Sequence, residues 1–303
     1  MGSVVEEVEQ TEKSSTLISD FKQLTKMGLS MSVVFSSVAG YLLAVDNDAI
    51  SYYVIFLLAI GGYFMVGASN AFNQIIEKNT DALMKRTKNR PIPAGRMSVR
   101  TALVIAVSFT VFGIAILYSI NPKSALFGAI SIFLYTSVYT PLKPLTPLCV
   151  FVGAFPGAIP FMLGWVAATN NFGVEAGFLF LIQFFWQFPH FWAIGWLQDE
   201  EYKKAGFNML PMGKKDNGAV RQIILYTIIM ILISIAPVTK LTGSFYIYPF
   251  TAVIIFILGV SMLFYAVRML KDHSREMARK LMLSSVFYIT VVQVIYVIDK
   301  FLH

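Results

Sequence analysis

The chain has 303 residues, of which 56% are hydrophobic and 14% are charged, and its mean hydropathy is +0.66. Soluble domains are about 45 to 50% apolar and about 25% charged, so this composition excludes a soluble globular protein and indicates an integral membrane protein. The net charge of +7 does not indicate a nucleic-acid-binding role, because the basic residues lie in short segments between apolar stretches and form no separate domain.

The chain begins with an acidic segment. Residues 1–20 contain five acidic residues and one basic residue, Lys13, which excludes a transit peptide because such peptides are rich in arginine and poor in acids. No signal-peptide core precedes the first apolar stretch. We therefore predict an acidic N-terminal tail, residues 1–20, and a single membrane-embedded domain, residues 21–303. A lone cysteine, Cys149, excludes an internal disulfide bond.

Nine apolar stretches follow, each close to the roughly 20 residues that a helix needs to cross a bilayer. The fourth is short and is bounded by Pro141. The predicted spans lie near residues 27–45, 52–76, 102–120, 125–140, 148–168, 177–197, 222–239, 246–267 and 281–299. We therefore predict an all-α membrane protein whose nine transmembrane helices are bundled around a cavity that opens to the cytoplasmic side.

Lysine and arginine are distributed unevenly among the connecting segments. The N-terminal segment and the loops after spans two, four, six and eight carry 21 of the 24, and the remaining loops with the C-terminal tail carry 3. Because loops rich in lysine and arginine stay on the cytoplasmic side, we expect the N-terminus and the long polar loops to be cytoplasmic. The C-terminus should then face the outer side.

The end of the second span continues into a polar loop with oxygen-bearing side chains at intervals of four. Asn73, Glu77 and Asp81 would share one face of a helix and point at one place. Mg²⁺ prefers oxygen ligands and is usually held by one or two carboxylates together with substrate phosphates, so we predict that these three residues are catalytic metal ligands. The alternative is an interfacial helix end whose acids pair with Lys78 and Lys85.

A cluster of cations follows this acidic row directly. It comprises Lys85, Arg86, Lys88 and Arg90, and such side chains can hold phosphate groups. Their presence behind Asn73 and the two acids favours a diphosphate site over the interfacial alternative.

At the end of the fourth span, Tyr139 and Lys143 lie four residues apart. Tyr139 could donate a hydrogen bond to a leaving phosphate oxygen while Lys143 neutralises it, and we predict both as catalytic residues. The alternative is an interfacial tyrosine beside a cytoplasmic lysine, with no role in a site.

The loop after the sixth span contains a second acidic cluster. Asp199, Glu200 and Glu201 are followed by Lys203 and Lys204. We predict that Asp199 and Glu200 contribute to a second metal site. The alternative is a solvated charged turn, which is common for such runs.

His190 is the only histidine within a predicted span, and it lies between Pro189 and Phe191. An ionisable residue at membrane depth is a candidate for function, and imidazole is a common ligand of haem iron. We therefore predict His190 as a haem-binding residue, with a packing role at the Pro189 kink as the alternative.

Taken together, these motifs resemble the UbiA-type intramembrane prenyltransferases, from about residue 20 to the C-terminus. The specific parts are the Asn73, Glu77 and Asp81 row, MKRTKNRP at 84–91, the Tyr139 and Lys143 pair, and PHFW at 189–192 followed by DEEYKKAGFNMLP at 199–211. Other branches of that family carry a more plainly aspartate-rich second motif. In the corresponding region this chain has His190 and the acids 199–201. In this respect it resembles the haem-modifying branch of the family.

The resemblance implies transfer of a farnesyl group from farnesyl diphosphate to a vinyl group of haem B, with addition of water, giving haem O and diphosphate. It also implies Mg²⁺ as cofactor and a bacterial inner membrane as the location. Partners implied are the lipid bilayer and the haem A synthase or oxidase assembly factors that act downstream.

Two other functions remain open at this point. A related prenyltransferase could use an aromatic acceptor such as a quinone or chlorophyll precursor, although such an acceptor gives no evident reason for His190. A secondary transporter would need ionisable residues near the bilayer midplane, whereas the acids here cluster at one membrane face.

Overall fold

The computed structural model describes residues 16–303, and its regular structure in this range is entirely helical. Residues 1–15 of the predicted acidic tail lie outside the described range. The helices are α1 (Leu17–Thr25), α2 (Met27–Ala44), α3 (Tyr52–Ile76), α4 (Lys78–Leu83), α5 (Val99–Ile120), α6 (Pro122–Phe133), α7 (Thr140–Leu142), α8 (Cys149–Thr169), α9 (Val174–Lys204), α10 (Asn217–Ile235), α11 (Pro249–Arg268) and α12 (Arg275–Leu302).

Eight helices of the described range are long and apolar enough to cross a membrane, so the chain is a multi-pass membrane protein. They are α2, α3, α5, the α6 to α7 segment, α8, α10 with the turn after it, α11 and α12. The remaining predicted span, 177–197, lies within α9. That helix has 31 residues, about 46 Å at 1.5 Å per residue, but it carries Gln183, Gln187 and His190 among its apolar residues.

Two boundaries differ from the sequence prediction. The short helix α1 precedes the first span, and its Asp20 side chain pairs with Arg96 at 3.0 Å, so the folded part begins before residue 21. The fourth span does not end before Pro141. A π-helical turn, Leu134–Tyr139, accommodates that proline, and the chain continues through α7. π-helical turns are rare in proteins, and those that do occur are often found at functional sites.

Polar side chains in the connecting loops define where several helices begin. Ser98 caps α5, Asp216 caps α10 and Ser274 caps α12, each accepting a hydrogen bond from a backbone N–H of the first turn. Asn121 caps α6 through Oδ1, and its Nδ2 donates to the carbonyl of Val166 at 3.0 Å. That one side chain therefore satisfies the start of α6 and the end of α8.

The helices form a closed bundle around a cavity. α2, α3, α5 and α6 are packed in sequence, and α8 contacts both α6 and α2. α9, α10 and α11 follow in the same way, and α12 packs against α9, α11 and α2 to close the ring. α2 and α8 approach most closely at Gly40 and Gly164, where an added Cβ would overlap backbone atoms of the other helix. Small residues allow this approach in membrane bundles.

Candidate active site

The cavity inside the bundle has a volume of about 500 Å³. One end is lined by charged side chains from the loops, and the middle is lined by residues of α2, α9 and α12. The two long polar loops meet at the charged end. The backbone N–H of Lys85 donates to Glu201 Oε2 at 2.6 Å, and Arg86 donates to Tyr202 Oη at 3.4 Å. Both loops therefore meet at this end of the cavity.

The predicted acidic row lies at this end of the cavity. Asn73 is in the last turn of α3, Asp81 is in α4, and Glu77 lies at a break between the two helices. The helix is therefore not continuous, contrary to the simple expectation from the spacing. The row still shares one face because Glu77 N donates to Asn73 O at 2.9 Å and Asp81 N donates to Glu77 O at 2.7 Å. All three side chains are buried and line the cavity.

Each of the two carboxylates is paired with a cation. Lys143 Nζ lies 2.6 Å from Glu77 Oε1, and Arg90 Nη1 lies 2.6 Å from Asp81 Oδ2. Burial raises the pKa of Asp81 while Arg90 opposes that shift. Burial is the largest single influence on the pKa of Lys143 and lowers it, but the charge and hydrogen bond of Glu77 together with Tyr135 and Tyr202 raise the pKa above its usual value. Lys143 Nζ also lies 4.6 Å from the centre of the Tyr139 ring. The two residues predicted from the fourth span therefore contact each other at the charged end of the cavity.

The four predicted phosphate-binding cations do not all reach the cavity. Arg86 and Arg90 line it. The side chains of Lys85 and Lys88 are exposed and are not part of the lining. The loop Met84 to Arg90 is a series of turns rather than a helix, in which Arg90 is half-buried and Arg86 lines the cavity while remaining exposed.

The three acids of the second cluster do not line the cavity, although Glu201 accepts a hydrogen bond from the Lys85 backbone in the first loop. Asp199 pairs with Lys203 at 2.9 Å and with Lys215 at 3.8 Å, and Glu200 is exposed. Neither lines the cavity. The structure therefore does not place Asp199 and Glu200 in the cavity wall beside the acidic row, since Asp199 is paired with two lysines and Glu200 is exposed. This segment instead contributes Tyr202, Phe207 and Met209 to the lining.

Lys26 is a site residue that the sequence did not reveal. It joins α1 to α2 in the left-handed conformation, with φ of 46°, and it lines the charged end of the cavity. Burial, with a smaller contribution from the nearby cations Arg90 and Lys143, lowers the pKa of Lys26 to about 7 against the opposing effect of Glu77 and Asp81. In the sequence it is only a lysine before an apolar stretch, as cytoplasmic loops commonly contain.

A layer of amide side chains lines the middle of the cavity. Gln187 Nε2 donates to Ala154 O at 2.8 Å, and Gln293 Nε2 donates to Gln183 Oε1 at 3.1 Å and to Ser36 Oγ at 3.2 Å. These residues are buried, and polar groups at membrane depth are costly unless they are bonded. In the sequence, the sign that these residues have a special role is that they are polar residues inside apolar stretches. His190 lies one turn further along α9 and lines the same cavity.

The acidic row does not form a complete metal site by itself. It is suited to bind a divalent cation that a bound ligand also coordinates. No group of three His, Cys, Asp or Glu side chains within residues 16–303 is arranged to hold a metal ion. Asp81 Oδ1, however, is buried and has no hydrogen-bond partner. An unpaired buried carboxylate oxygen is costly and is the kind of ligand that Mg²⁺ takes alongside phosphate oxygens and water.

Comparison with known proteins gives a consistent result. The model of the UbiA prenyltransferase family matches residues 33–291. A protoheme IX farnesyltransferase of Christiangramia forsetii is 63% identical over 95% of this chain and 96% of that protein. One of Flavobacterium psychrophilum is 62% identical, again over 95% of this chain and 96% of that protein.

Two solved structures show the same fold. A digeranylgeranylglyceryl phosphate synthase superposes with a TM-score of 0.77 at 17% identity, over 93% of this chain and 98% of that one. A UbiA homolog from Archaeoglobus fulgidus, bound to GPP and Mg²⁺, superposes with a TM-score of 0.62 at 14% identity, over 91% of this chain and 99% of that one.

Proposed function

Because the chain belongs to the UbiA prenyltransferase family, as its motifs predicted, we propose that it transfers farnesyl from farnesyl diphosphate to a vinyl group of haem B. The products are haem O and diphosphate. Relatives more than 60% identical over nearly the whole chain carry the name protoheme IX farnesyltransferase, and this supports the choice of acceptor within the family.

The observation that carries the proposal is the composition of the cavity. Its charged end brings Lys26, Arg86, Arg90 and Lys143 to one place, which suits a diphosphate because several cations can each bind a phosphate oxygen. The rest of the lining is mainly apolar or aromatic, with the amide layer, His190 and a few serine and threonine hydroxyls among these residues. One cavity thus offers an anion site beside a space suited to an isoprenoid chain and a large planar acceptor.

Mg²⁺ is the cofactor that we propose at the charged end. Asn73, Glu77 and Asp81 would hold it, and the unpaired Asp81 Oδ1 is the atom that fits this role. When bound, Mg²⁺ supplies positive charge that stabilises the departing diphosphate. Asp199 and Glu200 have no part in this proposal, since their side chains are paired or exposed outside the cavity.

The residues of the chain stabilise charge on both sides of the bond that breaks. As the bond between farnesyl C1 and oxygen breaks, Arg90, Lys143 and Arg86 stabilise the negative charge of the diphosphate. The rings of Tyr135, Tyr139 and Trp186 line the cavity and can stabilise positive charge on the allylic fragment through their faces.

The acceptor then forms the new bond. A vinyl carbon of haem B attacks C1 of the farnesyl group, and the resulting cation beside the porphyrin is quenched by water, which loses one proton. Because the walls of the cavity are helices packed within the bilayer, access of further water to the allylic cation is restricted.

Haem extraction from a host that lacks haem O tests this proposal. Membranes of the host with the chain should contain haem O, and membranes without it should contain haem B alone. The absence of haem O, with the chain present and folded in the membrane, would contradict haem as the acceptor. A prenylated quinone precursor in the same extracts would point to the related activity on an aromatic acceptor instead.

A further inference from the structure

His190 and Trp186 are both held by one residue of the neighbouring helix. His190 Nδ1 lies 2.8 Å from Ser285 Oγ, and Trp186 Nε1 donates to Ser285 O at 2.6 Å. The two rings stack, with centroids 4.8 Å apart and planes inclined by 17°. Ser285 itself is fully buried in α12. The orientation of the imidazole is therefore fixed on its Nδ1 side by Ser285 and on its face by Trp186.

The hydrogen bonds of Ser285 determine which imidazole nitrogen carries the hydrogen. Ser285 Oγ donates its single hydrogen to Met282 O at 2.6 Å. Only lone pairs of Oγ then remain for His190, so His190 Nδ1 is the donor. In the neutral ring the lone pair is consequently on Nε2.

Nε2 is free to bind a ligand. His190 lines the cavity, and the carbonyl of Met282, which accepts from Ser285 Oγ, also lies beside its imidazole. Within the described range 16–303, no hydrogen bond joins its Nε2 to another residue. A histidine that only braced the bend at Pro189 would be expected to use its nitrogens on neighbouring helices. Here Nδ1 is used in that way, whereas Nε2 of this cavity-lining residue has no hydrogen-bond partner in the described range.

This arrangement is typical of a histidine that binds a metal. Such histidines donate their second ring N–H to an oxygen atom, which fixes the tautomer and ring orientation and increases the basicity of the ligating nitrogen. Haem iron commonly accepts imidazole as an axial ligand. Fixing the porphyrin through its iron would hold a vinyl group in a constant position relative to the allylic carbon.

We infer that Ser285 and Trp186 are positioning residues, which hold His190 with Nε2 available in the cavity as the axial ligand of the acceptor haem. This inference rests on the proposed haem farnesyltransferase function and specifies how the acceptor is held. It assigns a function to α12, a helix that contributes none of the motif residues found in the sequence.

Spectroscopy of haem B bound to the purified protein tests the inference. Ser285→Ala removes the acceptor of the Nδ1 hydrogen, and it should shift the absorption spectrum of bound haem and weaken haem binding by about 10-fold or more, as loss of an outer partner does at metal sites. Ser285→Thr keeps the hydroxyl and should restore both. Ser284→Ala is the matched control, since Ser284 Oγ makes the same type of bond, to Leu281 O at 2.8 Å, and does not contact His190.

Farnesyl diphosphate binding reports folding in the same samples and should be unchanged in the Ser285 and Ser284 variants, since neither serine lines the cavity. If Ser285→Ala does not fold, Trp186→Phe carries the test, because it keeps the ring but removes the Nε1 hydrogen bond, and it should shift the spectrum in the same direction.

An unchanged spectrum and unchanged haem affinity in the folded Ser285→Ala or Trp186→Phe protein would overturn the inference. So would an unchanged spectrum in His190→Ala, since Ser285 would then have no ligand to position. Failure of the proposed function looks different, because the wild-type protein itself would then form no haem O.

Discussion

Glu77 and Asp81 each have a cation of the chain beside them, Lys143 and Arg90, both at 2.6 Å. These pairs are buried, so neutralising one member leaves an unpaired charge at a cost larger than that of an exposed pair. The same carboxylates are the proposed ligands of Mg²⁺. A substitution that keeps shape but removes charge therefore affects both the ion pair and the metal site.

We expect Asp81→Asn and Glu77→Gln to lower turnover by about 100-fold or more, because each removes a charge that holds the metal beside the diphosphate. The measurement is haem O formation at saturating Mg²⁺. Asp199→Asn is the matched control, since that acid lies outside the cavity, and its activity should stay within a few-fold of wild type. Comparable activity in all three variants would contradict the assignment of the metal site.

The lowered pKa of Lys26 leads to a prediction about how diphosphate binding depends on pH. Its pKa in the free protein is lowered to about 7, so at pH 8 the amine is mostly neutral. A bound diphosphate favours the charged form and raises the pKa. Binding at pH 8 should therefore take up a proton at Lys26, and this uptake should fade below about pH 6, where the amine is already charged.

Calorimetry of farnesyl diphosphate binding in two buffers with different ionisation enthalpies measures this uptake. Lys26→Gln should reduce it by up to one proton at pH 8. Equal uptake in wild type and Lys26→Gln would show that Lys26 does not gain charge when the diphosphate binds.

The helices show how far the sequence predicts this fold. Apolar stretches of about the length of a bilayer span predicted eight of the spanning helices close to their observed bounds, because length and hydropathy are local properties. The break at Glu77 and the π-helical turn at Leu134–Tyr139 were not predicted. Both depend on how the neighbouring elements pack, which periodicity alone does not report.

The same distinction applies to the candidate site. The spacing of Asn73, Glu77 and Asp81 along one face could be read from the chain, and the structure places them together. Lys26 could not be found in this way, because a single turn between α1 and α2 brings it to the cavity. The position of Asp199 outside the cavity could not be read from the chain either. Asp199 pairs with Lys203 in α9 and with Lys215, which lies in the loop after α9 and is close to it only in the folded structure.

The close packing of α2 against α8 leads to a prediction about stability. Gly164→Ala should destabilise the protein by about 1 to 3 kcal/mol, the range for overpacking, because the added Cβ would overlap the backbone of α2. Gly177→Ala in α9 is the control, since its Cβ would meet no atom within 4 Å, and it should leave stability unchanged or slightly higher. Thermal unfolding in detergent measures both, and equal midpoints would show that this crossing is loosely packed.

For the whole molecule, the 21 to 3 division of lysine and arginine leads us to propose that the N-terminus and the charged end of the cavity are cytoplasmic. Nine spans would then place the C-terminus on the outer side. Reporter fusions at the C-terminus should be active only for reporters that function outside the cytoplasm. Activity of a cytoplasmic reporter there would contradict the count of nine, and α9 is the first helix to reconsider.

Reaction of the purified protein with haem B, farnesyl diphosphate and Mg²⁺ tests the central claim most directly. Mass spectrometry should detect haem O, and diphosphate should be released in equal amount. Asp81→Asn should lower the formation of both products by about 100-fold or more, and Asp199→Asn should retain them within a few-fold. A folded wild-type protein that binds farnesyl diphosphate but forms no haem O would contradict the assignment of haem B as the acceptor.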